Sequence, residues 1–203
     1  MELNIDYVSD LHLTHYISKN ESITKIDKLV QDKISVQVKG DILVVAGDID
    51  EDINRVSELL YSCSKYYKKV IFVLGNHEYY IPVIKYIYTD PMAKEYNYNS
   101  MNKVYRLNEI FKDNNDIIIL DKTNNTKGLY TYNTFLLAGD TLWYKPVTLV
   151  DKLYNYPIQN DSRFILSELS KKDKIQKLHN DSISWYNNLP NNIDLIITHV
   201  PPF

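Results

Sequence analysis

The sequence predicts a layered domain of α/β or α+β class. Short runs rich in Val and Ile recur along the chain. The early runs are separated by stretches with apolar residues at helical spacing, and the later runs lie closer together. Connections in the first half are long enough for parallel crossovers.

The elements follow in order. Residues 3–8 (LNIDYV) alternate and predict a first strand, and the compact runs 41–46 (DILVVA) and 69–74 (KVIFVL) predict buried ones. Between these two, residues 52–67 carry Ile53, Val56, Leu59, Leu60 and Cys63 at helical spacing. A second helix is expected over 102–113, with Val104, Leu107, Ile110 and Phe111 on one face. Strands are then expected at 116–120, 129–132 and 134–138. A weaker helix over 168–188, carrying Leu169, Ile175, Leu178, Ile183 and Trp185, leads to a last strand at 193–198. Residues 79–101 and 144–163 read as long loops or partly helical excursions, which in a compact domain are usually functional or mobile.

Length and composition narrow the function. The 203 residues predict a single domain, 1–203. A domain of this size buries roughly 70% of its unfolded surface. A net charge of -3 argues against nucleic-acid binding by bulk electrostatics, because duplex affinity needs a basic face. A small phosphorylated substrate is not excluded. One cysteine, Cys63, makes no internal disulfide and predicts a reducing compartment. No signal peptide is read at the start, and no apolar run approaches the ~20 residues a membrane helix needs. A cytoplasmic location without membrane attachment is expected.

The chemistry gathers where strands end. All five glycines are expected at strand edges, and Gly47 and Gly75 each close an apolar run before a polar group. The results are Gly47-Asp48 and Gly75-Asn76-His77-Glu78. The first strand ends in Asp10-Leu11-His12, and the last ends in Thr198-His199. In a parallel sheet such ends share one edge, where ligands bind. Asp10, His12, Asp48, Asn76, His77 and His199 can therefore converge. Two carboxylates, an amide oxygen and imidazoles suit Mn²⁺, Fe, Zn²⁺ or Ni²⁺ better than Ca²⁺. A central carboxylate such as Asp48 can bridge two cations.

These motifs, in this order, resemble the calcineurin-like metallophosphoesterases over nearly the whole chain. The segment Gly139-Asp140-Thr141-Leu142-Trp143 also looks like a family feature. The resemblance implies a two-sheet β-sandwich flanked by helices. It implies that Asp10 and His12 ligate a first metal, Asp48 bridges two, and Asn76 and His199 ligate the second. His77 would face substrate rather than metal, and Glu51 would pair with His77. A metal-bridging hydroxide would attack a phosphomonoester or phosphodiester. The substrate class spans small molecules, nucleotides and proteins, and both metal identity and oligomeric state stay open.

The resemblance breaks at one place. The family's final Gly-His-x-His block is missing, and the domain is expected to be C-terminally incomplete. A divergent site completed by His15, His179 or a partner chain is the next reading. A degenerate fold acting as a protein-interaction scaffold is the alternative function. Other residues have blander expectations. His15 is expected in an exposed loop, His179 in solvent and Cys63 in the core. Tyr79 and Tyr80 can wall the pocket. Trp143 and Tyr144 can stack on substrate or pack, and Asp140 can reach the site or serve a turn.

Overall fold

The computed structural model describes residues 2–18, 24–37, 39–82, 90–144, 160–169 and 171–201. Much of the two long predicted excursions, at 83–89 and 145–159, lies outside these residues.

The first sheet has four parallel strands in the order β1-β2-β3-β4. They are β1 (Ile5–Val8), β2 (Ile42–Ala46), β3 (Lys69–Val73) and β4 (Ile117–Leu120). Every one falls inside an apolar run expected to be a strand. The second sheet holds β5 (Leu129–Tyr132), β6 (Phe135–Asp140) and β7 (Leu195–Thr198) in that order. Strands β5 and β6 are antiparallel, while β6 and β7 are parallel, pairing Asp140 with Thr198.

Side-chain alternation explains how the two sheets and the helices share these strands. Ile42, Val44, Ile71, Val73 and Leu120 face Leu137 and Ile197 of the second sheet. Leu43, Val45, Val70 and Phe72 face the other way, into the larger core beneath the helices. Strands buried on both faces read as continuous apolar runs, which is why β2 and β3 are so plain in the sequence.

Helix α2 (Ile53–Cys63) buries all five predicted residues, Cys63 included, and Asp52 caps it by accepting the Asn54 N–H at 2.9 Å. Helix α4 (Ser100–Phe111) follows α3 (Pro91–Glu95) and buries Val104, Leu107 and Phe111. Ile110, expected on the same face, is exposed instead. Helix α6 (Lys171–Asn187) packs through Ile175, Leu178 and Ser182, whereas Leu169 and Ile183 are exposed. Its apolar stripe is narrowed by a buried serine, which weakens the periodicity. Helix α5 (Asn160–Phe164) is short.

The sequence reading passes over one helical stretch. Helix α1 (Thr24–Leu29) runs on as a π turn over Val30–Ile34 and a tight turn over Ser35–Gln37. Ile26, Val30 and Ile34 recur at every fourth position and are all buried. Gly139 also departs from expectation, since it lies inside β6 rather than at its edge. A Cβ there would stand 2.7 Å from Val73 Cγ2, so its smallness lets the sheets approach.

Candidate metal centre and active site

The carboxyl ends of β1, β2, β3 and β7 meet at one rim. Asp10 and His12 follow β1, Asp48 follows β2, Asn76 and His77 follow β3, and His199 follows β7. Every expected site residue is brought to this rim or its edge.

The backbone there is held in an uncommon shape. Asp10, His12 and Asp48 have φ of 53°, 40° and 57°, the left-handed region that costs a side-chain-bearing residue roughly 1–3 kcal/mol. Hydrogen bonds between the loops hold it. The N–H groups of Asp10, His12 and Leu13 donate to the carbonyls of Gly47, Asp48 and Ile49 at 3.1, 3.0 and 2.9 Å. Gly47, at φ 82°, and Gly75 stand face to face beneath these loops. A Cβ on Gly75 would lie 2.1 Å from Asp48 Oδ1, so only glycine leaves that carboxylate its place.

Glu78 holds the same loops from below. It is fully buried, and its Oε2 accepts the N–H of Gly75 at 2.7 Å and of Asp48 at 3.0 Å. Its Oε1 accepts the N–H of Ile49 at 2.8 Å. Burial, with the nearby Asp48 charge, raises its pKa, and the backbone donors oppose that rise. In the sequence Glu78 stands in the Gly75-Asn76-His77-Glu78 motif with no evident role. The signal is a carboxylate placed directly after two site residues at a strand end.

Asp48 is the centre of the rim. Its Oδ1 lies 3.5 Å from His199 Nε2, while its Oδ2 lies 3.8 Å from both His12 Nε2 and His77 Nε2. Two groups of donors result, His12 with Asp48 and His77, and Asp10 with Asp48 and His199, each gathered within 4.8 Å. Asp48 is common to both. The resemblance turns His77 toward substrate, and this grouping also admits it beside His12. Glu51 Oε1 lies 3.7 Å from His77 Nδ1.

His199 shows what the rim is built to hold. Its Nδ1 lies 2.8 Å from the Ala46 carbonyl, which can only accept, so Nδ1 carries a hydrogen. Its Nε2 then faces Asn76 Oδ1 at 3.1 Å and Asp48 Oδ1 at 3.5 Å. Three acceptor atoms meeting in this way need a cation among them, either a proton on Nε2 or a metal. Burial disfavours the charged ring, yet Asp48, the Ala46 carbonyl and Asp10 raise its pKa to about 9. The opposite holds for His77, where burial outweighs Asp48 and lowers the pKa. Asp48 itself is lowered, because His199 and the His77 N–H overcome its burial. Carboxylate, imidazole and amide oxygen together fit divalent transition cations.

The remaining candidates sort cleanly. His15 is exposed, as expected, and its ring lies 5.6 Å from that of His12 in an edge contact. Tyr80 walls the site with its ring 4.4 Å from His77, while Tyr79 is buried edge-on against Trp143. Trp143 packs in the core rather than offering a stacking face. Asp140 turns away from the rim, with both oxygens 2.9 Å from Lys122 Nζ. His179 is not in solvent but half-buried, its Nδ1 2.8 Å from the Trp143 carbonyl. Asp161 is, besides Glu78, a residue whose part the sequence does not reveal. It reaches Asn76 from far along the chain, and no motif marks it.

A family model for the calcineurin-like phosphoesterases matches residues 3–203. The chain belongs to that family. A solved phosphopantetheinyl hydrolase from Mycobacterium tuberculosis is 15% identical, with a TM-score of 0.55 over 98% of this chain and 68% of that one. At that identity it bears out the fold, two sheets flanked by helices. A protein of unknown function from Aquifex aeolicus is 13% identical, with a TM-score of 0.33 over 95% of this chain and 76% of that one. No curated protein matches the chain. Among the described residues no helix is long and apolar enough to cross a membrane.

Proposed function

We propose that the chain hydrolyses a phosphomonoester or phosphodiester with the help of two divalent cations. One observation carries this reading. The two oxygens of Asp48 are divided between two sets of ligand atoms, Oδ1 toward His199 and Oδ2 toward His12. A carboxylate so placed suits a bridge between two ions. Asp10, His12, Asp48, Asn76 and His199 would hold them.

When bound, such a pair supplies positive charge that acidifies water and neutralises phosphoryl oxygens. The chain's own groups do the rest. Water adds to phosphorus, the ester P–O bond breaks, and the leaving oxygen takes a proton. His77 is suited to give that proton. Its side chain keeps 25% exposure toward solvent, and Glu51 lies beside its Nδ1 at 3.7 Å. A carboxylate there steadies the ring and works against the burial that lowers its pKa. The substrate is a small phosphorylated molecule, a nucleotide or a phosphoprotein.

The test measures bound Mn, Fe and Zn and the hydrolysis of aryl phosphate mono- and diesters, with Asp48→Asn as control. Turnover that depends on added Mn²⁺ or Ni²⁺ and vanishes with Asp48→Asn supports the reading. A chain that binds no metal and turns over neither ester defeats it and favours an interaction scaffold.

A further inference from the structure

An asparagine can ligate a metal only through its oxygen, because its NH₂ is a donor. At Asn76 something must keep that oxygen toward the rim, since the two ends of an amide have nearly the same shape. We propose that Asp161 is a positioning residue that fixes the Asn76 amide with its oxygen toward the cations. The proposal rests on the reading that Asn76 is a metal ligand.

Both hydrogen-bond partners of the Asn76 amide nitrogen lie on the same side of it. Asn76 Nδ2 donates to Asp161 Oδ1 at 3.0 Å and to the Tyr80 hydroxyl at 2.7 Å. The Tyr80 hydroxyl spends its own hydrogen on Asp161 Oδ1 at 2.5 Å, so its oxygen is left to accept. Both partners of Nδ2 are therefore acceptors. Rotating the amide by half a turn would set Oδ1 against a carboxylate oxygen and a hydroxyl oxygen whose hydrogen points elsewhere. Asn76 Oδ1 accordingly faces the rim, 3.1 Å from His199 Nε2.

Asp161 is itself held. Its Oδ2 accepts the Tyr144 hydroxyl at 3.0 Å, and the residue is 8% exposed. Its helix α5 (Asn160–Phe164) is fastened at its carboxyl end. The Phe164 carbonyl accepts the Ile81 N–H at 2.9 Å, just beyond Tyr80. Leu166 and Ser100 bond each other twice, N–H to Oγ and N–H to carbonyl, both at 2.9 Å. An arm from late in the chain, tied down at Phe164 and Leu166, thus reaches the strand-end motif at 76–80. Partners of this kind behind a metal ligand typically change metal affinity about 10–100-fold when removed.

The experiment titrates the protein with Co²⁺ and follows visible absorption, with binding calorimetry to count ions. The set comprises the wild type, Asn76→Ala, Asp161→Leu, Asp161→Asn and Asn76→Ala combined with Asp161→Leu. Wild type is expected to take up two ions. Asp161→Leu, isosteric but without an acceptor, should weaken one of them about 10–100-fold and leave the other. Asp161→Asn keeps an acceptor and should restore most of that affinity. On the Asn76→Ala background, Asp161→Leu should add no further loss.

Wild-type affinity in Asp161→Leu overturns the proposal and leaves the function reading standing. An equal loss with and without Asn76 overturns it too, since Asp161 would then act by another route. Wild type that takes up no Co²⁺ overturns both. If Asp161→Leu does not fold, the wild-type side-chain amide decides. The Asn76 Nδ2 hydrogen on the side of Asp161 and Tyr80, assigned by nitrogen–proton spectra against Asn76→Ala, should exchange slowly with water. Fast exchange overturns the proposal.

Discussion

The buried carboxylate of Glu78 holds the backbone of Asp48, with Oε2 accepting the Asp48 N–H at 3.0 Å. The same oxygen takes the Gly75 N–H at 2.7 Å, so one side chain ties the loops after β2 and β3 together. Glu78→Gln offers an acceptor at one end only and sets an NH₂ against backbone donors at the other. The expected loss is about 1–3 kcal/mol for each buried donor left unmet. Urea unfolding measures it, and the metal affinity of the rim should fall with it.

Gly75→Ala tests the space beneath the rim. Its Cβ would lie 2.1 Å from Asp48 Oδ1 and 2.4 Å from Asp48 N, so the loop bearing Asp48 has to move. Overpacking of this kind costs about 1–3 kcal/mol. The variant should fold less stably and lose metal more than stability. Calorimetric metal titration beside thermal unfolding separates the two effects.

Lys103 predicts a pH dependence. It is 1% exposed, with Nζ donating to the Tyr80 carbonyl at 2.7 Å. Burial pushes its pKa from 10.5 down to about 8, against the pull of Glu78, Glu51, Asp50 and Asp52. Between those values the unfolded chain holds a proton that the folded chain has released. Stability relative to Lys103→Met should therefore rise with pH across that window and be flat below it. The slope should not exceed about 1.4 kcal/mol per pH unit. Urea midpoints for both proteins at several pH values supply the comparison.

Lys122 and Asp140 form a buried pair behind the rim, with side chains 10% and 1% exposed. Asp140 also accepts the Leu142 N–H and the Ser182 hydroxyl, both at 3.2 Å. Lys122→Met leaves a buried carboxylate without its cation and should cost about 3–5 kcal/mol. Adding Asp140→Asn removes that charge, so the double variant should be more stable than Lys122→Met alone. Denaturant unfolding of the three proteins reads out both differences.

The sheets and the rim are legible in the sequence for one physical reason. A strand buried on both faces must be apolar throughout, so a polar residue at its tip stands out. That contrast marks Asp48 and Asn76 at the tips of β2 and β3. Asp10 and His199 follow β1 and β7, whose outer residues Tyr7 and Ile196 are exposed, and stand out by their place at the end of an apolar run. The helical stretch at 24–37 is harder to see, because Ile26, Val30 and Ile34 form a thin stripe among charged residues. Asp161 is invisible for a different reason. Its role exists only through Asn76 and Tyr80, and such a pairing leaves no local pattern. Ile110 and Leu169 are misplaced because an apolar residue on the surface looks the same in sequence as one in the core.

The thiol of Cys63 has no solvent exposure, and burial pushes its pKa up to about 12. Shut in between α2 and the sheet, it cannot meet an alkylating reagent while the domain stays closed. The molecule thereby carries a built-in clock. The rate at which that sulfur is labelled reports how often the layer of helices parts from the strands beneath it.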